Sequence, residues 1–295
     1  MLSIAIPKGS LEEQTLLLFA QADMEIKSEA RGYNPRCVDP RIGKVKILRP
    51  QEIPTYVADG YFDLGISGQD CIAEAAAEVV EVADMPYAKT GVGVMRLVIA
   101  VPEKSLVASP EDIAPGSRIT TEFPNLTRTY FAERGIDVNV FYSFGATEAK
   151  VPEIMDAVVD LTETGETLRR NRLKIIGEIM TSTTKLIANA ASWADPTKKQ
   201  AIEEVKTLLT GVIEARGRVL ITMNVAEDRL DDVVAALPAL KFPTVAKLYR
   251  RHDEDTHLYS VETVVDKSTV NVLIPQLKAK GATDILEMPI AKIVR

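Results

Sequence analysis

Leu2-Ser3-Ile4-Ala5-Ile6-Pro7-Lys8-Gly9-Ser10, followed by Leu11–Ala22, reads as strand, tight turn and helix. Leu2–Ile6, apolar except for Ser3, has the length of a buried strand, and from Leu11 the apolar residues fall at helical spacing. The unit recurs. Val45–Leu48 reads as a strand, Gln51–Asp59 as a helix, and Leu64–Ser67 as a strand leading through Gly68-Gln69-Asp70 into an alanine-rich helix, Cys71–Glu78. This alternation predicts an α/β architecture. Ligands of open α/β sheets sit outside the carboxyl ends of strands, so Lys8–Leu11 and Gly68–Asp70 are candidate site loops.

The rhythm restarts near Gly91. Strands are expected at Arg96–Val101, Arg118–Thr121, Val138–Tyr142 and Ala157–Leu161, a helix at Leu126–Arg134, and a helical turn at Pro152–Met155. The apolar stretch Lys185–Ala190 then leads past Pro196 into a long helix, Thr197–Ala215, which returns the chain to the first lobe. Two lobes joined by crossings leave a cleft between them. After Gly217 the order changes to strand Val219–Val225, helix Asp228–Ala236, strands Val245–Arg250 and Leu258–Val265, helix Thr269–Lys280 and strand Asp284–Met288. That βαββαβ order is ferredoxin-like. The expected organisation is lobe I from 1–90 and 182–215, lobe II from 91–181, and a third domain from 216–295.

Composition narrows the chemistry. The 295 residues suit two or three domains at ~150 residues each, and 35 Lys+Arg against 42 Asp+Glu disfavour nucleic-acid or anionic-membrane binding by bulk charge. Residues 1–215 carry 23 basic and 31 acidic side chains, so the front part is the more acidic. Both histidines, His252 and His257, lie in the last quarter, which removes Ser-His-Asp, Cys-His and histidine-metal chemistry from residues 1–215. Cys37 and Cys71 are too few for a zinc site or disulfide framework and fit a reducing, cytoplasmic setting. The N-terminal residues do not read as a signal peptide, and no stretch nears the ~18 apolar residues of a membrane span.

Val158-Val159-Asp160-Leu161-Thr162-Glu163-Thr164-Gly165-Glu166-Thr167-Leu168 reads as a candidate phosphate site. A strand runs into a turn rich in hydroxyls, with Gly165 able to take a positive φ, and successive N–H groups in such a turn form an anion-binding nest. Asp160 and Asp156 are acceptors suited to ribose hydroxyls or a Mg²⁺ shell. The same pattern also occurs in ordinary capped loops.

The run resembles the phosphoribosyl-pyrophosphate loop of phosphoribosyltransferases, with Leu161 standing where a second carboxylate is expected. A longer resemblance, to the long form of ATP phosphoribosyltransferase, rests on several ordered motifs. These are Ile6–Leu11, Leu48-Arg49-Pro50, Phe62–Asp70, Glu122–Arg128, Gly145-Ala146-Thr147-Glu148, Asp160–Leu168, Ala215-Arg216-Gly217 and Met288-Pro289-Ile290. It implies a two-lobed, periplasmic-binding-protein-like catalytic part with a ferredoxin-like regulatory domain. The implied reaction joins N1 of ATP's adenine to C1 of phosphoribosyl pyrophosphate with Mg²⁺ and loss of pyrophosphate. No protein nucleophile is required, in keeping with the absence of histidine from residues 1–215.

The resemblance implies that Thr162, Glu163, Thr164, Gly165, Glu166 and Thr167 surround the 5-phosphate, chiefly through backbone and hydroxyl donors, with the side chains of Glu163 and Glu166 turned away. Asp160 is expected at the ribose hydroxyls. Asp156 joins it only if the chain bends, since four strand residues span roughly 13 Å. Lys8, Gly9 and Arg49 are expected at ATP and pyrophosphate, with Asp70, Glu122 and Glu148 at sugar, adenine or metal; the metal ligands stay unassigned. Asp70 reads equally as a helix cap. Arg169, Arg170, Arg172 and Lys174 read as a phosphate cluster or as a solvated, salt-bridged face. In the third domain the resemblance implies inhibition by histidine, with Leu240 and Thr244 at its site, and assembly from dimers to a hexamer. A two-lobed binding protein without catalysis, or a catalytically dead paralogue, are the competing readings.

Overall fold

The computed structural model describes residues 1–27, 34–87, 93–238, 242–249 and 257–295, which separate into two units, Met1–Thr210 and Gly211–Arg295. In the first unit β1 (Leu2–Pro7) feeds α1 (Glu12–Gln21). A short ribbon, β2 (Ile26–Lys27) with β3 (Arg36–Cys37), precedes β4 (Ile42–Leu48), α2 (Ile53–Ala58), β5 (Leu64–Gly68), α3 (Gln69–Glu74) and β6 (Val80–Asp84). Then come β7 (Val94–Pro102), β8 (Ser117–Thr121), α4 (Pro124–Ala132), β9 (Val138–Tyr142), β10 (Ala157–Thr162), α5 (Glu166–Arg170) and β11 (Leu173–Ala188), followed by α6 (Ala190–Ala194) and α7 (Pro196–Ala215), whose last residues, from Gly211, belong to the second unit.

Among the described residues nine strands form one sheet, in the order β4-β1-β5-β11-β7-β10-β8-β9, with β6 also paired to β11. Parallel pairs β1·β4 and β1·β5 build one half, parallel pairs β8·β10 and β8·β9 the other. The 16-residue β11 joins them. Its residues 184–188 run antiparallel to β5 and its residues 173–183 antiparallel to β7, with register shifts between Ile175/Gly177 and Glu178/Met180. One strand therefore passes through the boundary expected near 181/182.

β1 lies between two strands, which explains why Ile4, Ala5 and Ile6 are fully buried and its sequence runs apolar without alternation. Each half has its own core: Ala5, Ile53, Val57 and Ile187 in the first, Leu97, Ile99, Ile119, Phe131 and Val159 in the second. Two expectations need correcting. The helix expected over Cys71–Glu78 ends at Glu74, because Ala76 adopts φ 46° and turns the chain away. The segment from Leu173 to Thr184, which carried no expected strand, is most of β11.

The second unit contains β12 (Arg218–Ala226), α8 (Leu230–Val234), β13 (Thr244–Lys247), β14 (Leu258–Asp266), α9 (Val270–Ala279) and β15 (Thr283–Pro289). Its antiparallel sheet has the order β13-β14-β12-β15, the ferredoxin-like arrangement. Here β12 alternates strictly: Val219, Ile221, Met223 and Val225 pack with Val261, Val233 and Leu277, while the residues between them face away from that core.

Candidate active site

The first unit contains a cavity of about 390 Å³, within the usual range for small-molecule sites. Its walls come from strand ends: Ser10 and Leu11 after β1, Gly68 at the end of β5 with Asp70 and Cys71 after it, Glu122 and Phe123 after β8, and Asp160, Leu161 and Glu163 at the end of β10. The middle of β11, Ser182–Thr184, closes one side together with Tyr87, Gly93 and Met95. Both half-sheets thus contribute.

Asp70 is 5% exposed and sits at the start of α3. The Ser182 hydroxyl donates to its Oδ1 at 2.5 Å, the Cys71 thiol reaches Oδ2 at 3.4 Å, and its own N–H donates to Ser182 Oγ at 3.1 Å. A Cβ on Gly68 would lie 2.2 Å from Asp70 Oδ1, so only glycine lets that carboxylate fold back over the strand end. Burial, aided by the neighbouring Asp70 charge, pushes the Cys71 thiol well up, and it is no nucleophile.

Asp160 is held at both oxygens. Thr147 donates its hydroxyl to Oδ2, and the Leu161 N–H donates to Oδ1 at 2.8 Å. Burial raises the Asp160 carboxyl above its ordinary value against these two donors, and the Glu148 charge adds to the rise. Glu122 is raised as well, by burial and then by Asp160, with Arg49 and Lys150 opposing. The wall is therefore acidic. Arg49 and Lys150 are the cations that offset it, and Lys150 Nζ also donates to Ser143 Oγ at 2.5 Å.

Beyond Glu163 the chain turns through Gly165, at φ 76° and ψ 4°, into the five-residue α5. The hydroxyl oxygen of Thr162 accepts from Gly165 N–H at 2.7 Å and that of Thr164 from Glu166 N–H at 3.3 Å. Two loop amides are thus used inside the loop, while a hydroxyl that accepts keeps a proton to donate. Glu166 faces Arg169 and Arg170 at 2.7 and 3.0 Å, which hold its carboxyl below the usual range; the salt-bridged reading of that pair of arginines is the observed one.

Of the residues expected at the site, Asp70, Glu122, Asp160 and Glu163 line the cavity. Thr162, Thr164, Gly165, Glu166 and Thr167 neighbour lining residues along the chain without lining the cavity themselves, and Lys8, Gly9 and Arg49 precede lining residues Ser10 and Pro50. Glu148 stands next to Thr147, its Oε2 3.4 Å from that hydroxyl. Asp156 is not brought to the cavity. It lies before the other end of β10, where Arg118 holds it through its main-chain N–H at 2.8 Å and its guanidinium at 2.9 and 3.2 Å. The strand does not bend enough to bring both aspartates to one ribose. Sequence reasoning assigned no role to Thr147, Ser182, Thr183, Thr184 or Tyr87.

In the second unit Thr244 is exposed, opposite Glu262 in the β13·β14 register, and borders a hollow of about 310 Å³ with Arg218, Leu220, Phe242 and the tail Ile293–Arg295. Leu240 and His252 lie outside the described residues. His257 Nδ1 is buried without a hydrogen-bond partner. Among the described residues no three His, Cys, Asp or Glu side chains group as a metal cage, and no helix is long and apolar enough to cross a membrane.

Residues 49–211 match the family described as ATP phosphoribosyltransferase, and residues 215–292 match the HisG C-terminal domain. The ATP phosphoribosyltransferase of Pelotomaculum thermopropionicum is 45% identical over 293 residues, covering 99% of both chains, and that of Desulforudis audaxviator is 44% identical with the same coverage. A solved ATP phosphoribosyl transferase (HisG:HisZ) complex from Thermotoga maritima superposes with a TM-score of 0.62 at 29% identity, covering 72% of this chain and 99% of that one. A cavity at the strand ends and a separate antiparallel unit, matched end to end by these relatives, show that the chain belongs to the ATP phosphoribosyltransferase family, pentosyltransferases of histidine biosynthesis.

Proposed function

We propose that the cavity of residues 1–210 is where N1 of the adenine of ATP displaces pyrophosphate from C1 of 5-phosphoribosyl 1-pyrophosphate, giving N1-(5-phosphoribosyl)-ATP. The carrying observation is Asp160: a partly buried carboxylate on the cavity wall, held at both oxygens, with the Gly165 turn soon after it. In this reading Asp160 accepts the ribose hydroxyls, and the Thr162–Thr167 loop offers hydroxyl and backbone donors to the 5-phosphate. Lys8, Gly9 and Arg49 meet ATP or pyrophosphate at the rim, and Asp70, Glu122 and Glu148 take the remaining sugar, adenine or metal contacts.

Bond cleavage at an anomeric carbon needs no protein nucleophile, so these residues act by orienting two substrates and meeting developing charge. Asp70, Glu122 and Asp160 present hard carboxylate oxygens, a donor set that fits Mg²⁺ shared with substrate phosphates better than an all-protein site. Bound Mg²⁺ would offset the charge on the departing pyrophosphate. The two cysteines are unpaired, which supports a cytoplasmic setting.

Incubating the full chain with ATP, phosphoribosyl pyrophosphate, Mg²⁺ and a pyrophosphatase, and following phosphoribosyl-ATP absorbance, tests the reading. Absence of product under those conditions sinks it. We further propose that residues 216–295 bind histidine near Leu240 and Thr244 and restrain the reaction in an oligomer of dimers up to a hexamer, since inhibition needs two states of unequal histidine affinity. Histidine added to the same assay then lowers the rate, and Thr244→Ala weakens that effect.

A further inference from the structure

Helix α4 has no local cap. Phe123 occupies its N-cap position without a side-chain hydrogen bond, and Pro124 opens the first turn. The first-turn amides of a helix have no partner inside it and normally find a Ser, Thr, Asp or Asn oxygen just upstream. Here they find Glu74, 51 and 52 residues away. Asn125 N–H donates to Glu74 Oε1 at 2.9 Å and Leu126 N–H to Oε2 at 2.9 Å, while the Asn125 side-chain amide donates to the Glu74 carbonyl at 3.0 Å.

The two ends belong to different halves of the sheet. Glu74 closes α3, which follows β5 in the half built on β1; α4 follows β8 in the half built on β10. The carboxyl end of α3 meets the amino end of α4, so the negative end of one helix dipole and a carboxylate together face the positive end of the other. Both helices also carry cavity wall: Asp70 and Cys71 begin α3, and Glu122 and Phe123 lead into α4. Whatever fixes Glu74 to α4 fixes the spacing between these opposing walls.

We infer that Glu74 is a positioning residue for the transferase reaction: by capping α4 from the opposite half-sheet, it holds the two walls of the substrate cavity at their working separation. It touches neither substrate. A carboxylate suits this task because its two oxygens serve two adjacent amides at once, a match that neither a hydroxyl nor an amide side chain reproduces.

The test compares the full chain with Glu74→Ala and Glu74→Gln, following steady-state kinetics and hydrogen–deuterium exchange. Only the kinetic arm rests on the proposed reaction. Each charge-assisted bond corresponds to roughly ten- to hundred-fold in an equilibrium, and at this partly exposed site water replaces part of the pair when the carboxylate is removed. We expect kcat/KM to fall by about that factor in Glu74→Ala, mostly through higher KM for both substrates, and by less in Glu74→Gln, which keeps one acceptor oxygen. Exchange should rise in the α4 peptide and also in the walls it faces, residues 68–71 and 182–184. If exchange rises only within residues 123–132 while both KM values stay put, Glu74 is a local helix cap and the inference is overturned. A wild-type chain that makes no phosphoribosyl-ATP defeats the functional reading instead, and exchange in the opposing walls still decides the role of Glu74.

Discussion

Asp156, just before β10, and Asp160, toward its carboxyl end, stand four residues apart, and their surroundings drive them in opposite directions. Arg118 and its main-chain N–H hold the Asp156 carboxyl below its ordinary value, with the side chain 45% exposed. Burial raises Asp160, which among the described residues forms no salt bridge and relies on the neutral donors Thr147 and Leu161. The same residue type is a satisfied surface ion pair just before the strand and a partly buried acceptor on the cavity wall near its far end. Fixed, desolvated and under-neutralised is the condition of a group waiting for a polar ligand, whereas a bidentate arginine partner leaves nothing to wait for.

The largest effect that would break this comparison is on turnover. Asp160→Asn is expected to lower kcat/KM for phosphoribosyl pyrophosphate by about 10²–10³, the usual loss when a placed polar group is removed from a reacting centre. Asp156→Asn should stay within about threefold, since typical surface substitutions disturb stability by ~0.5 kcal/mol or less. Steady-state assays of the two variants side by side decide it. Equal losses at both positions would mean that the ends of β10 are not functionally distinct.

Much of this was legible in the sequence where the signal is local. The apolar run Leu2–Ile6 and the turn at Gly9 gave strand and helix because a strand between two neighbours must be apolar on both faces. The Asp160–Gly165 turn could be read because Gly165 was needed at positive φ and the hydroxyls surround it. What could not be read depends on partners far along the chain. Ser182 reaches Asp70 across 112 residues, Glu74 caps α4 across 51, and Arg118 claims Asp156 across 38. Residues 173–184 mix Lys, Glu, Thr and Ser with apolar side chains and carry two register shifts, so no clean period announced β11. The alanines after Glu74 favour helix, yet Ala76 takes φ 46° there.

A smaller effect sharpens the contrast at Asp160 itself. Thr147 is 2% exposed and donates its hydroxyl to Oδ2, so Thr147→Val removes one of the two neutral donors that favour the ionised form. Hydrogen bonds to charged groups are worth ~1.5–3 kcal/mol. The Asp160 carboxyl should then titrate still higher, and the acid limb of the kcat/KM profile should move to higher pH. Glu122, Glu148, Arg49 and Lys150 face the same region and shape the baseline, which is why Thr147→Ser, keeping the hydroxyl, is the control. A profile of Thr147→Val that overlays the wild type would show that Thr147 does not govern Asp160.

The smallest effect is on stability, and its sign differs at the two ends of the strand. Asp156 titrates lower folded than unfolded, so the unfolded chain binds the extra proton; its contribution is present above about pH 3.9 and is lost as pH falls through the lowered value. Asp160 titrates higher folded than unfolded, so the folded chain holds the extra proton; its contribution is present below about pH 3.9 and is lost as pH rises through the raised value. Asp156→Asn should therefore flatten the acid-side loss of apparent melting temperature. Asp160→Asn should remove a decline on the other side, and by relieving Glu122 of a neighbouring charge it removes part of that group's decline as well. Half-exposed Asp156 contributes ~1 kcal/mol or less after solvent screening, so its change is the smaller of the two. Melting curves taken across this range, variant against wild type, read the two slopes directly, and slopes of the same sign would contradict the difference in burial that separates the two aspartates.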